Sequence, residues 1–438
     1  MSIATKKDII EQHAQVFERE FQVELTASCT VGNGIVRANK EVIAKARTAF
    51  DSLSQQASFF VPASGSGSRM FGFLYQWLNG GLETQEIQHF FNELPNFPFY
   101  GELKTVNSDK KAIVEEILQK FSAIPKGLIP FHQYNGEVRT AFQEHLAQAK
   151  DFLGESARIH FTVQQEFKDA ISKNIGSGEQ ISFSYQNDET DAYCFDANGE
   201  VMKENEEFLR RPAGHGALLE NLNAIDNDIV LIKNIDNIQH FSKVEKTKDA
   251  WKLSVGILVN FKNDLQKLTS DYSFEKLKVI NENYQFLSKE QLENFKKEDL
   301  QGILIRPTRV CGMVLNEGEP GGGPFWSVDK QGVSKQVIEK SQIDKSDAQQ
   351  EIVQKSTHFN PVFIAVSKTD VFGNKLDLMQ FRDDSKFFVV KKTHKGKEII
   401  YRELPGLWNG SMSNWNTIFL EIPQEVFTPV KSVLDLLG

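Results

Sequence analysis

Ser58-Phe59-Phe60-Val61-Pro62-Ala63-Ser64-Gly65-Ser66-Gly67-Ser68-Arg69-Met70 is the stretch whose reading decides the fold. It opens on a short apolar run, which reads as a buried strand. Two glycines and an arginine follow. The apolar run from Met70 to Leu78 then reads as a helix. A glycine loop between a strand and a helix turns free backbone N–H groups and the positive helix end outward, where an anion can rest. Gly65 and Gly67 permit close backbone approach, and Arg69 adds a planar, permanent positive charge. No Gly-Lys-Ser/Thr closes the loop, so it is not a P-loop. Met70 stands where a dinucleotide fingerprint needs its third glycine, which weakens an oxidoreductase reading. A plain tight turn is the competing interpretation.

On either side of this loop, helical and strand patterns alternate. Residues 5 to 21 read as a helix, with Thr5 and Asp8 as a capping box and Ile10, Ala14, Phe17 and Phe21 on one face. A second helix is expected over 40 to 54, carrying Ile43, Ala46, Phe50 and Leu53. Residues 79 to 124 read as a mostly helical insertion, broken at Pro95 to Tyr100. Val138 to Leu153 reads as helix, Arg158 to Val163 as strand, Glu166 to Lys173 as helix and Ile181 to Tyr185 as strand. Ala217 to Ala224 reads as helix and Ile229 to Lys233 as buried strand. Residues 236 to 300 read as charged and helical, and the part from about 302 as rich in strands and glycine turns. The alternation predicts an α/β fold: a Rossmann-like mixed, mostly parallel sheet with helices on both faces. The expected organisation is a helical N-terminal extension over 1–55 and an α/β core over 56–300, with the insertion at about 79–124. Residues 301–438 are expected to form a C-terminal α+β part that completes the core.

The chain has 438 residues, 40% hydrophobic and 25% charged, with a formal net charge of −9. Such a composition excludes wholesale disorder. The acidic balance argues against a nucleic-acid binder, because no broad positive field is available. Phe is abundant, 34 against 8 Tyr and 5 Trp, which implies large apolar cores. Cys29, Cys194 and Cys311 are widely spaced, so neither a disulfide framework nor a zinc site is expected. Residues 1–15 carry charge where a secretory leader has an apolar run, and no stretch has the roughly 18 apolar residues of a membrane helix. A cytoplasmic protein without membrane contact is expected.

Further segments carry polar chemistry. Ile124 to Phe131 is a stiff proline turn presenting Lys126, a point charge for a phosphate or an ordinary surface lysine. Leu209 to Leu222 places Gly214-His215-Gly216 before an apolar helix, with the imidazole expected to reach solvent or ligand. Ile229 to Ile238 is a strand ending in Asn234, Asp236 and Asn237; ligands of open α/β sheets lie at such carboxyl ends, and an Asp there suits Mg²⁺. A strand-capping turn is the alternative. Ile305 to Ser327 contains Pro320-Gly321-Gly322-Gly323-Pro324, whose ordering is entropically costly and implies a close backbone approach. Arg306 and Arg309 are candidates to neutralise an anion there, and Glu317 or Glu319 to accept sugar hydroxyls. Lys391, Lys392 and Lys395 form a local basic patch. Glu403 to Asn416 reads as a seal for the C-terminal part.

The order of these segments resembles the nucleotide-diphospho-sugar transferase superfamily, the sugar-1-phosphate nucleotidyltransferases. Pro62 to Met70 is similar to that family's Leu-Ala-x-Gly-x-Gly-Thr-Arg-Met loop, and Pro125-Lys126-Gly127-Leu128 to its Pro-Lys-x-Leu motif. Pro212-Ala213-Gly214-His215-Gly216 resembles the base-recognition loop of UDP-sugar pyrophosphorylases. Asn234 to Asn237 resembles the strand end that bears the metal-binding Asp, and Val337 to Ser341 the sugar-contacting segment. Segments such as GEPGGGPFW and LPGLWNG resemble, end to end, an uncharacterised bacterial family assigned to the same superfamily.

The resemblance implies a Mg²⁺-dependent enzyme, with Mn²⁺ as an alternative ion, that joins a nucleoside triphosphate to a sugar-1-phosphate and releases pyrophosphate. Arg69, Lys126 and Lys392 would be catalytic. Ala63, Ser64, Gly65, Ser66, Gly67, Ser68, Gln186, Pro212, Gly214, His215 and Gly216 would bind the nucleotide. Glu317, Gly321, Gly322, Gly323, Glu339 and Asn360 would bind the sugar. Asp236 would hold the metal, with Asn360 or Asp344 as a second ligand. The rival class is a non-catalytic nucleotide or nucleotide-sugar sensor on the same fold.

Overall fold

The computed structural model describes residues 3–18, 23–52, 57–176, 178–318 and 321–438. Phe21, Leu53, Glu319 and Pro320 lie outside the described residues. The chain is a mixed α/β protein whose large sheet is mainly parallel. It divides into two compact units, each assembled from three separate segments: Met1–Ser52, Gln186–Val230 and Leu253–Ile422 in the first; Leu53–Tyr185, Leu231–Lys252 and Pro423–Gly438 in the second.

In the second unit the strand order is Ile229–Lys233, Ala57–Pro62, Arg158–Thr162, Ile181–Ser184. Ala57–Pro62 runs parallel to Arg158–Thr162, and Arg158–Thr162 to Ile181–Ser184. Phe59, Phe60, Val61, Ile159, Phe161, Leu231 and Ile232 are buried, as expected for strands covered on both faces. The helix Ala141–Leu153 starts at a capping box between Thr140 and Gln143 and sets Phe142 edge-on to Phe161, 5.0 Å between ring centroids. The inserted helices Gln85–Asn92 and Lys110–Phe121 enclose a chain of phenylalanines. Phe90, Phe97, Phe99 and Phe121 lie 5.1 to 5.4 Å apart in sequence order. The phenylalanine excess therefore serves in part as the core of this insertion.

In the first unit the order is Thr30–Val31, Gly34–Val36, Asn416–Glu421, Thr308–Leu315, Phe363–Ser367. Thr308–Leu315 is parallel to Asn416–Glu421 but antiparallel to Phe363–Ser367. A separate antiparallel sheet combines Glu24–Ser28, Gly323–Asp329 and Gly332–Ile338. No helix among the described residues is long and apolar enough to cross a membrane.

Several local expectations change. Residues 137–140 form a strand rather than the start of a helix, paired with Pro130–Tyr134. Asn135-Gly136 makes the hairpin turn, with Gly136 at φ 83°, and helix begins only after the Thr140 cap. The first helix begins at Ile3, so Thr5 lies inside it; it ends at His13 and passes into a π-turn, Ala14–Glu18. The second helix stops at Asp51. Residues 236–244 are not helical apart from a 3₁₀ turn, Phe241–Lys243, before the long helix Glu245–Ser270.

Candidate functional site

In the second unit the glycine loop leaves the strand Ala57–Pro62 and is anchored at both ends. The Ala63 N–H donates to the Thr162 carbonyl at 2.8 Å. The Gly67 N–H donates to the Ile124 carbonyl at 3.0 Å, and the Lys126 N–H to the Gly65 carbonyl at 3.1 Å. The two motifs, 57 positions apart between Arg69 and Lys126, are thus one structure. Its glycines differ in role. A Cβ on Gly65 would meet no atom within 4 Å, so that backbone faces open space. A Cβ on Gly67 would lie 2.8 Å from Ile129 Cδ1 and 3.0 Å from the Phe121 carbonyl. Gly67 is buried and its N–H is spent, so it packs the loop and does not offer a free donor, which corrects the expectation for that residue. Ser66 and Ser68 are exposed with their hydroxyls 3.0 Å apart; Arg69 is exposed and Ser64 half-buried.

Lys126 reaches Asp236, 110 positions away, with Nζ 2.9 Å from Oδ2. Lys431, which the sequence reading missed, places its Nζ 3.1 Å from the same oxygen. Burial alone would raise the Asp236 pKa, but the two ammonium groups outweigh it and hold the carboxyl below its ordinary value. Burial lowers the Lys126 pKa, and Asp236 opposes that shift.

The turn that presents Asp236 is tied down on every side. The Val430 N–H donates to its carbonyl at 2.9 Å, and the Thr428 N–H to Asn237 Oδ1 at 3.0 Å. Asn237 therefore serves the turn itself. Behind the strand end, His145 Nε2 meets the Ile235 carbonyl at 3.1 Å, and Lys233 Nζ donates to Gln239 Oε1 at 2.8 Å. Burial lowers the pKa of Lys233 to about 7.

Burial, with Lys233 nearby, also lowers the pKa of His145 to about 3. An unfolded His binds a proton near pH 6.5. Between there and about 3 the unfolded chain therefore holds one more proton than the folded one, and stability falls on acidification by up to about 1.4 kcal/mol per pH unit from this group. His145→Gln is expected to flatten the melting-temperature profile between pH 6.5 and 4. A profile as steep as that of the parent protein would contradict this.

The first unit gathers a second cluster. Gly214–Ala217 is a 3₁₀ turn whose His215, expected to reach solvent or ligand, is partly covered. Its ring stacks on Trp408 at 4.1 Å, and its side chain is only 26% exposed. The Leu407 N–H donates to His215 Nδ1 at 3.0 Å, which puts the proton on Nε2, 3.9 Å from Glu339 Oε1. Burial lowers the His215 pKa to about 4, keeping it neutral. Gly214, at φ 73°, has no room for a Cβ beside Glu403, nor does Gly216 beside the Pro405 carbonyl. Both glycines are thus required by the Leu404–Gly406 backbone and the side chain before it. Glu339 and Glu403 have raised pKa values, chiefly through burial; Glu403 adds to the shift on Glu339, and Lys392 partly offsets that on Glu403. Lys392 also donates to the Tyr401 hydroxyl at 2.8 Å. Gln186 carries a buried Nε2 with no acceptor, and Pro212 is exposed. Glu403 went unrecognised in sequence because it opens a segment read as a seal.

Several other candidates are held by the protein itself. Asn360 is 4% exposed; its Nδ2 donates to the Gly312 carbonyl and its Oδ1 accepts from the Val362 N–H, so its amide holds the backbone. Gly321, Gly322 and Gly323 make room for Phe359, Val337 and Phe325, not for an open cleft. Glu317 is exposed. Arg309 is fully buried, with Nε 2.8 Å from Thr417 Oγ1 and Nη1 2.7 Å from the Trp408 carbonyl, and neutralises no external anion. Asp344 is half-buried and accepts from the Ser346 N–H. Among the described residues no three His, Cys, Asp or Glu side chains converge on a metal position. A cavity of about 690 Å³ in the second unit, lined by residues such as Phe131, His132, His240 and Val430, includes none of the residues expected from sequence.

The architecture is shared with solved proteins. UDP-N-acetylglucosamine pyrophosphorylase from Trypanosoma brucei, in complex with an inhibitor, aligns over 98% of this chain and 74% of its own, with TM-score 0.54 and 12% identity. A mutant UDP-glucose pyrophosphorylase from Leishmania major, in complex with UDP-glucose, aligns over 99% and 74%, with TM-score 0.47 and 12% identity. At such identities the first likeness is one of fold. No protein of curated function matches the sequence. A family model described as "Domain of unknown function (DUF4301)" matches residues 2–438.

Proposed function

We propose that this chain, which belongs to the family of the domain of unknown function DUF4301, is a nucleotidyltransferase joining a nucleoside triphosphate to a sugar-1-phosphate with release of pyrophosphate. One observation carries the reading. Lys126, bonded through its backbone to the glycine loop, meets Asp236 at the end of a buried strand, 2.9 Å between Nζ and Oδ2. An open glycine backbone, a cation and an anchored carboxylate in one place suit a phosphate chain.

In this reaction an oxygen of the sugar-1-phosphate attacks the α-phosphorus in line. The bond from that phosphorus to the oxygen bridging it to the β-phosphorus breaks, and pyrophosphate departs with the electron pair. No covalent enzyme intermediate is required; catalysis is positioning and charge stabilisation. The backbone from Ala63 to Gly65, with the Ser66 and Ser68 hydroxyls, would border the phosphates. Arg69 and Lys126 would oppose the charge that gathers on the leaving pyrophosphate. In the first unit, the His215 Nε2–H and the unpartnered Gln186 Nε2 are donors suited to a base carbonyl, while Glu339 and Glu403 are acceptors suited to sugar hydroxyls. Lys392, beside that acidic pair, would attract the sugar phosphate.

Mg²⁺ is commonly held by one or two carboxylates together with substrate phosphate oxygens. Asp236 fits that donor set only as its single protein carboxylate, so the remaining oxygens would come from the ligand. When bound, the ion would neutralise phosphate charge.

Arg69→Ala is expected to lower kcat/KM for pyrophosphate release by the equivalent of about 2–4 kcal/mol, as for loss of one preorganised donor. A fall in kcat would place Arg69 at the transition state; a rise in KM alone would make it a uniform binder.

Asp236 already pairs with two ammonium groups, which favours a second reading, a nucleotide or nucleotide-sugar sensor. Titrating Mg²⁺ against triphosphates and sugar phosphates separates the two: a sensor binds without turnover.

A further inference from the structure

Around His215 the first unit collects acceptors and little positive charge. Glu339 is fixed by the capping box it forms with Gln342, and its Oε1 lies 3.9 Å from His215 Nε2, too far for a hydrogen bond. Glu403 ends the strand Lys397–Glu403 and lies against the Gly214 backbone, where a Cβ would collide with its carboxylate. Asn409 is 3% exposed; its Nδ2 donates to the Val337 carbonyl at 2.8 Å, and its Oδ1 meets no donor. That oxygen bears on the edge of the imidazole: a Cβ on Gly406 would lie 2.5 Å from both Asn409 Oδ1 and His215 Cε1.

The charges here do not balance. Among the described residues neither Glu339 nor Glu403 forms an ion pair with a Lys or Arg, and the His215 ring is neutral. Lys392 offsets part of the shift on Glu403 but gives its hydrogen bond to the Tyr401 hydroxyl. Two half-buried carboxylates that repel each other, and a buried amide oxygen without a donor, call for a ligand that donates and is positive. A sugar hydroxyl gives one donor and leaves both charges uncompensated. An ammonium gives three donors and the missing charge. An acetylated nitrogen keeps a single N–H, carries no charge and brings a carbonyl oxygen toward the carboxylates.

We propose that the sugar phosphate used by this chain carries a free amino group whose ammonium lies between Glu339 and Glu403, so that the substrate class is an amino-sugar 1-phosphate in preference to neutral or N-acetylated sugars. This rests on the nucleotidyltransferase reading. Pyrophosphate release by the full chain is measured with Mg²⁺ and a panel of nucleoside triphosphates. Each is paired with the 1-phosphates of glucosamine, galactosamine, glucose, galactose and N-acetylglucosamine. kcat/KM is expected to be at least about tenfold higher for an amino sugar than for its neutral counterpart, as for one charge-assisted contact. Glu403→Gln and Glu339→Gln, which keep shape and remove one charge, should each cut that ratio about tenfold. A merely structural role would lower kcat/KM for both sugars alike and keep the ratio, and an unchanged ratio in both variants overturns the proposal. Turnover as fast or faster with the neutral or acetylated sugars also overturns it, and leaves the nucleotidyltransferase reading standing. No pyrophosphate from any pairing refutes that reading and this proposal with it.

Discussion

Asp236→Asn is expected to slow pyrophosphate release by a factor of about 10²–10³, the loss associated with one preorganised electrostatic group. Asparagine preserves shape and an acceptor oxygen but removes the charge. Two ammonium groups, at 2.9 and 3.1 Å from Oδ2, then face each other without a counter-charge. Burial already depresses the Lys126 pKa; without the carboxylate it falls further, and Lys126 delivers less positive charge to a phosphate. Asp236→Ala should impair activity at least as much and also lower stability, because the buried Lys126 loses its acceptor. Turnover under saturating substrates measures the effect. An Asn variant as fast as the parent removes Asp236 from the mechanism.

Arg309→Ala is expected to destabilise the protein by about 4 kcal/mol or more, the combined cost of a large cavity and orphaned acceptors. The guanidinium is fully buried and ties three separate chain segments together through Thr417, the Trp408 carbonyl and Gln336. Lysine does not restore this, since a single ammonium lacks the planar fork that spans these directions. Urea denaturation checks the claim; a loss under about 1 kcal/mol would show that the network contributes little.

These two residues mark what a local pattern conveys and where it stops. The position of Asp236 just beyond a strand end follows from the short run Ile229–Lys233 and the polar residues after it, and strand, loop and helix around Gly65 follow from similar local patterns. Local patterns also gave Ala141–Leu153 and most of the parallel strands. Arg309 looked like an anion ligand because its partners are 27 to 108 positions away, and nothing in the sequence says that they converge. The same holds for Gly67 and for Gly321–Gly323, whose missing side chains make room for Ile129, Phe359, Val337 and Phe325. A run of glycines tells that something comes close, not whether it is ligand or protein. Lys431 was invisible for a different reason. It is an ordinary exposed lysine until the 423–438 segment folds back on Asp236, and the backbone bonds that carry it there leave no trace in residue type. The Glu137–Thr140 strand was legible in retrospect: Asn135-Gly136 is a strong hairpin signal, and the apolar spacing of the following helix masked it.

The central claim concerns chemistry, and the most direct measurement is pyrophosphate release by the full chain with Mg²⁺, across a panel of nucleoside triphosphates each paired with several sugar-1-phosphates. The expected result is stoichiometric pyrophosphate and nucleotide-sugar for at least one pairing, abolished or severely slowed by Asp236→Asn. Nucleotide binding without pyrophosphate release from any pairing would contradict the account and leave a sensor in its place.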